Sequence, residues 1–225
     1  MSNVGNAAYA LEGQELKNGW RITNAINKPP TGTGGTFSVC YGVSNGHQNA
    51  FLKAINFIAF FSMMPGRSIT AVMQEMSSAY EYEKAVLNRC KDRRLSKVAT
   101  IIDEGEVTVP GFIIGTVPYL IFEMAEGDLR SQLTDFSDDL ESVWKLRSLH
   151  NIAVGMKQLH SVKISHQDLK PSNVLIYEGG GVSKVGDLGR ALCQDIIAPH
   201  DYDGGFAGDG TYAPPEVYYG YMEPE

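Results

Sequence analysis

The sequence predicts an α+β chain in two lobes, an antiparallel sheet with one main helix followed by a mainly helical part. Three observations predict this. Short β-branched and aromatic runs separated by turn residues fill the first half. One uninterrupted helical stretch, residues 70–90, has neither Gly nor Pro. After residue 126 the apolar spacing becomes three and four, with Trp144, Leu146, Leu149, Ile152, Ala153, Met156 and Leu159 on one predicted face of a helix over 143–161. Strands first and helices later imply two packed units rather than one alternating layer.

In chain order, residues 1–19 read as a polar lead-in. Strands are expected over 20–26, 37–43 and 50–55, with Ser44-Asn45-Gly46 as the turn between the last two. The helix over 70–90 should set Val72, Met76, Ala79, Tyr80, Glu83 and Leu87 near one face. Residues 98–102 and 118–124 are further strand candidates, so a first lobe should span 20–124 and a second 125–225. In the second lobe, 174–177 and 182–185 flank Glu178-Gly179-Gly180-Gly181 and read as a hairpin. The Gly- and Asp-rich stretch from 187 to 216 reads as a long ordered loop.

Composition narrows the function class. A formal net charge of -7 argues against general nucleic-acid or membrane-surface binding. Cys40, Cys90 and Cys193 have no paired spacing, and no basic segment with an apolar run opens the chain, so a reduced, cytoplasmic protein is expected. The most apolar stretch, within 55–64, is far short of a membrane span.

The chemistry is concentrated in His166-Gln167-Asp168-Leu169-Lys170-Pro171-Ser172-Asn173, followed by Gly186-Asp187-Leu188-Gly189-Arg190. These supply what phosphoryl transfer from ATP needs: a carboxylate for a hydroxyl proton, a cation for the moving phosphoryl group, and an amide plus a carboxylate for Mg2+. The block resembles the catalytic loop and metal-binding triplet of eukaryotic-type serine/threonine protein kinases, with details closer to bacterial members. The resemblance runs from about Trp20 to Glu216 and implies a two-lobed protein-kinase-like fold. It also implies that Asp168 and Lys170 are catalytic, that Asn173 and Asp187 ligate Mg2+, that ATP is the phosphoryl donor and that a protein is the substrate. His166 is expected to be a structural hydrogen-bonding residue.

The same resemblance assigns the nucleotide site. Residues 31–39 would be the phosphate-cradling loop, with Gly32, Gly34 and Gly35 close to phosphate and Val39 beside the nucleotide. Two registers are open: one aligns Val39 with the family valine, and the other aligns Phe37 with the usual aromatic. Lys53 would hold the α- and β-phosphates, but Phe51 stands where the family usually has alanine, which implies a shifted strand or an unusual adenine roof. Glu83 would pair with Lys53. Its competitor Glu81 points about 200° away around a helix. The interval from Lys53 to Glu83 exceeds the family norm through residues 56–68, an insertion that is core, lobe cap or docking segment, with core packing preferred. Glu123, Met124 and Ala125 would form the hinge to the adenine edge, behind Phe122.

Tyr212-Ala213-Pro214-Pro215-Glu216 is similar to the end of a kinase activation segment, with Asp209 where serine/threonine kinases carry a threonine that contacts the catalytic Asp and Lys. Since the chain stops soon after Glu216, the second lobe is expected to lack its later helices. Two alternatives to catalysis stay open: a regulatory nucleotide-binding pseudokinase and a small-molecule phosphotransferase. Gln167 replaces the arginine that usually binds an activation-loop phosphate, and residues 190–210 contain no Ser or Thr. Activity is therefore expected not to depend on phosphorylation of this segment. Phosphatase treatment should leave the rate unchanged, whereas its loss together with phosphate mapped to 190–210 would refute this.

Overall fold

The computed structural model describes residues 5–26, 38–63, 66–135, 142–199 and 208–216. Contacts divide the chain into two units. One takes the chain through Tyr80 together with Ile101–Met124, and the other takes Glu81–Thr100 and the chain from Ala125 onward.

The first unit is built on a five-stranded antiparallel sheet, with strands β1 (Arg21–Ala25), β2 (Ser38–Ser44), β3 (Asn49–Ile55), β4 (Ile101–Thr108) and β5 (Thr116–Glu123) in the order β1-β2-β3-β5-β4. The β2–β3 turn forms where Ser44-Asn45-Gly46 predicts it. Asn45 Oδ1 accepts from the N–H groups of His47 (3.1 Å) and Gln48 (3.0 Å), and Gly46 takes φ +83°. Strand β4 runs on to Thr108, beyond the expected segment, because residues 103–108 satisfy their backbone groups on β5 despite their acidic character.

One sheet face carries Tyr41, Val43, Ala50, Leu52, Ala54, Val117, Tyr119 and Ile121 into a core. Ala7, Ala8, Leu11 and Trp20 complete it, so the expected polar lead-in is in part core-forming. Its polar residues mask three apolar ones that the sheet needs as cover. Tyr41 donates its hydroxyl to the Ala8 carbonyl at 2.8 Å, and burial pushes its pKa up to about 12. Helix α1 (Phe57–Met63) lies in the insertion. Asn56 Oδ1 accepts from the Ala59 N–H (3.2 Å) and from Asn6 Nδ2 (2.8 Å). Asn56 and Phe57 at the start of the insertion are buried, while Arg67 and Ser68 at its end are exposed.

Helix α2 (Ile69–Asp92) contains the boundary between the units, after Tyr80. Val72, Met76, Tyr80, Glu83 and Leu87 are buried as predicted, but Ala79 is exposed and Tyr82, Val86 and Cys90 are buried as well.

The second unit contains β6 (Gly127–Asp128), α3 (Leu129–Asp135), α4 (Ser142–Ser161), β7 (Ile164–Ser165), β8 (Val174–Tyr177), β9 (Val182–Val185) and β10 (Leu192–Cys193). Strands β6, β8 and β9 form one sheet, and β7 pairs with β10. The β8–β9 hairpin turns through Gly179 (φ +61°) and Gly180 (φ +84°), closed by Gly181 N–H to the Glu178 carbonyl at 3.0 Å.

Helix α4 packs on β9 by an unexpected stripe. Ser148, Asn151, Gly155 and Leu159 are buried, whereas Val143, Leu146 and Leu149 are 60%, 66% and 62% exposed. The small stripe wins because it lets the helix approach the hairpin closely, a preference that hydrophobic periodicity does not register. A Cβ on Gly155 would lie 2.7 Å from the Lys97 carbonyl oxygen and 3.0 Å from Val185 Cγ2. Gly155→Ala is therefore expected to lower stability by about 1–3 kcal/mol, despite its better helix propensity, as read by urea denaturation.

Candidate active site

Two hydrogen-bonded chain reversals build the loop between β7 and β8. The Asp168 N–H donates to the His166 carbonyl at 2.8 Å across a three-residue turn, with Gln167 at φ +62°. Gln167 Nε2 donates to Ser165 Oγ at 2.7 Å. Pro171 then opens a single 3-10 turn, Pro171–Asn173, which leads directly into β8. Because β8 and β9 pair from Val174↔Val185, the residues just outside that pair meet, and Gly186 N–H donates to the Asn173 carbonyl at 2.8 Å. The hairpin thus sets Asp187 beside the loop that carries Asp168.

Asp168, Lys170 and Asn173 are all buried. Lys170 Nζ lies 2.9 Å from Asp168 Oδ2 and 3.2 Å from Oδ1. Asn173 Nδ2 donates to the Asp168 carbonyl (2.8 Å) and to Oδ2 (3.1 Å). Asp209 N–H donates to Asp168 Oδ1 at 2.7 Å, and the Asp209 carboxylate is 3.6 Å from Lys170 Nζ. A buried carboxylate and ammonium are tolerable here because each meets its opposite charge with added hydrogen bonds. The constellation offers a fixed proton acceptor next to a fixed cation.

His166 bonds through Nε2 to the Gly186 carbonyl at 2.9 Å, while Nδ1 faces the Asp168 N–H at 3.3 Å. With Nδ1 accepting, Nε2 must carry the proton, so the neutral ring suits both contacts. Burial holds its pKa below the usual 6.5, against the Gly186 carbonyl and the Asp187 and Asp168 carboxylates, which favour the charged ring.

The donor set fits Mg2+. Asn173 uses its amide nitrogen on Asp168, which leaves its amide oxygen as a hard ligand atom, and Asp187 adds a carboxylate. Among the described residues no group of three or more His, Cys, Asp or Glu could hold a metal. Asp187 adopts left-handed backbone, φ +59° and ψ +71°, an uncommon conformation that Asp tolerates better than most residues. Glu83 is buried near it: a Cβ on Gly189 would lie 3.5 Å from Glu83 Oε2 and 3.7 Å from Asp187 Oδ1. Glu81, the competing carboxylate, is 60% exposed and pairs with Lys84 at 2.6 Å.

In the first unit, Lys53 lies on β3 opposite Cys40 of β2 and Leu120 of β5. Directly paired residues share a face, so Cys40 is on the Lys53 face. Val39 pairs with Ala54 and packs on the opposite face, against the core of the unit. Val39 and Lys53, both expected beside the nucleotide, therefore lie on opposite faces of the sheet. Strand β3 pairs without a bulge on either side, which removes the shifted-strand explanation for Phe51. Phe51 shares the Lys53 face and lies opposite Phe122, with ring centroids 6.4 Å apart at 54°. Glu123 ends β5 and Met124 follows in the first unit, while Ala125 belongs to the second. Gly32, Gly34 and Gly35 lie outside the described residues.

Sequence reasoning missed a support around β10. Arg89 donates to Cys193 Sγ (2.9 Å), Asp195 (3.2 Å) and the Val162 carbonyl (3.3 Å), and Lys163 bonds Asp195 at 3.3 Å. Lys163 first, then Arg89, holds the Asp195 carboxyl below the usual carboxylate range. Tyr82 donates its hydroxyl to the Ala191 carbonyl at 2.8 Å. No local pattern marks these partners, which are 32 to 109 residues apart in sequence.

The protein kinase domain model matches residues 35–223, and the chain belongs to that family. It is 35% identical over 86 residues to the serine/threonine-protein kinase/endoribonuclease IRE1 of Oryza sativa subsp. japonica, covering 37% of this chain and 10% of that protein. It is 31% identical over 161 residues to the serine/threonine-protein kinase DCLK1 of Rattus norvegicus, covering 64% and 35%. It is 29% identical over 138 residues to the mitogen-activated protein kinase HOG1 of Exserohilum turcicum, covering 60% and 40%. The matched stretch is well under two thirds of each relative's length. No helix among the described residues is long and apolar enough to cross a membrane.

The depressed His166 pKa has a consequence for stability. The neutral ring is favoured in the fold, so its contribution is complete above the unfolded value near 6.5 and is lost as pH falls below it. The denaturation midpoint should drop between pH 7 and pH 5, and His166→Asn should show a shallower pH slope than the parent. Equal slopes would place the titration elsewhere.

Proposed function

We propose that this protein is a serine/threonine protein kinase that uses ATP and Mg2+ to phosphorylate hydroxyl groups of protein substrates. The observation that carries the reading is the buried Asp168–Lys170–Asn173 constellation, hydrogen-bonded through Asn173 to the Gly186-Asp187 step. Asp168 orients the acceptor hydroxyl and takes its proton as the hydroxyl oxygen bonds to the γ-phosphorus and the bond to the departing ADP oxygen breaks. Lys170 meets the charge on the transferred group. Asn173 and Asp187 hold Mg2+, which supplies charge neutralisation on the phosphates. Lys53 holds the α- and β-phosphates, with Gly32, Gly34 and Gly35 as backbone donors. Glu123, Met124 and Ala125 present backbone groups to the adenine edge. Lys170 two residues after Asp168, together with the similarity to serine/threonine-protein kinases, supports the serine/threonine class and a protein acceptor. The buried thiols Cys40, Cys90 and Cys193 suit the reducing cytoplasm.

One observation favours a second reading. Phe51 on the Lys53 face brings an aromatic ring where the family usually keeps alanine, as a regulatory nucleotide-binding module without turnover could tolerate. Transfer of labelled γ-phosphate to protein acceptors separates the two. The kinase reading expects Mg2+-dependent transfer that falls roughly 100-fold or more in Asp168→Asn, and comparably in Asp187→Asn. Nucleotide binding without any transfer would select the regulatory module, and transfer retained in Asp168→Asn would remove that residue from its role.

A further inference from the structure

Asp209 reaches both chemical partners of the loop at once. Its backbone N–H donates to Asp168 Oδ1 at 2.7 Å, and its carboxylate Oδ2 stands 3.6 Å from Lys170 Nζ. Its other oxygen, Oδ1, accepts the Thr211 N–H at 3.0 Å, capping the single 3-10 turn Gly210–Tyr212. That cap fixes the side-chain rotamer and leaves Oδ2 directed to the ammonium. Lys170 therefore lies between two carboxylates, with its own side chain almost fully buried. A lysine head is a compact charge on a flexible four-carbon stem, and one ion pair leaves it room to swing. A second acid on another segment removes that freedom. A threonine hydroxyl at this position could touch the same groups but would not add a charge.

We infer that Asp209 is a positioning residue for phosphoryl transfer, its carboxylate holding Lys170 in the orientation that meets the transferred group while its N–H holds Asp168. The inference rests on the kinase reading above and goes beyond it by giving the activation segment a charged part in the chemistry. The Thr211 N–H and then Lys170 hold the Asp209 carboxyl below the usual carboxylate range, so the charge is in place at neutral pH.

Asp209→Asn is the discriminating variant. It keeps an oxygen for the Thr211 N–H and keeps the backbone N–H on Asp168, and it removes only the charge. Expected is a fall in kcat of about tenfold, with KM for ATP within about twofold and the melting temperature unchanged, because an ordering effect on Lys170 acts in the transition state. In protein labelled with 15N-lysine, the Lys170 ammonium resonance, assigned by its loss in Lys170→Arg, should broaden or vanish in Asp209→Asn. An unchanged kcat and an unchanged ammonium signal, with Asp168→Asn inactive in the same assay, would overturn the inference while leaving the kinase reading intact. A parallel fall of kcat and melting temperature would also overturn it, by reducing Asp209 to a turn cap. Absence of transfer by the parent protein would instead defeat the kinase reading, and the inference with it.

Discussion

The hydrogen bond from the Gly186 N–H to the Asn173 carbonyl is the constraint on which the candidate active site depends. It closes the β8–β9 hairpin at the end that carries chemistry and fixes two separate acidic segments to one backbone frame. Gly179 and Gly180 supply the tight reversal, Gly155 lets α4 lie against β9, and the His166 ring holds the Gly186 carbonyl from the other side. Asp187, one residue on, occupies left-handed backbone.

Within that frame the electrostatics are those of a buried ion pair shared among several donors. Asp168 accepts from Lys170, Asn173 and the Asp209 N–H. A carboxylate has about four lone-pair directions, so this set nearly saturates it. Burial makes each contact stronger than it would be in water and makes an unpaired member costly. Among the described residues of the later segment, Asp209 is tied to Lys170, and Asp195 to Arg89 and Lys163. One of these acids thus serves the loop itself and the other its support at β10.

How much was legible depends on whether the signal is local. The hairpin turns, the long helix and the catalytic loop all carry their chemistry within a few neighbouring residues, and the family assignment follows from them. The opposite exposure of Glu83 and Glu81 was also legible, because a two-residue step on a helix reverses the face. The face of α4 was not, since its apolar and small stripes are adjacent and only the hairpin beneath it selects between them. The side of the sheet on which Val39 lies was likewise hidden, because a strand shift of one residue exchanges faces and nothing within residues 31–39 sets the register.

The sequence by itself determined the kinds of chemistry available to this protein: which acids, bases and amides exist, their spacing along one loop, and the family to which that spacing belongs. Tertiary structure alone decided which groups touch. Pairing of β8 with β9 joined Asn173 to Gly186, strand register gave Cys40 rather than Val39 to the Lys53 face, and the return of the activation segment brought Asp209 onto Asp168 and Lys170. The reason is physical. Residue type sets a side chain's charge and hydrogen-bonding capacity, but distance and burial set what that capacity is worth, and both arise only when distant segments close against one another.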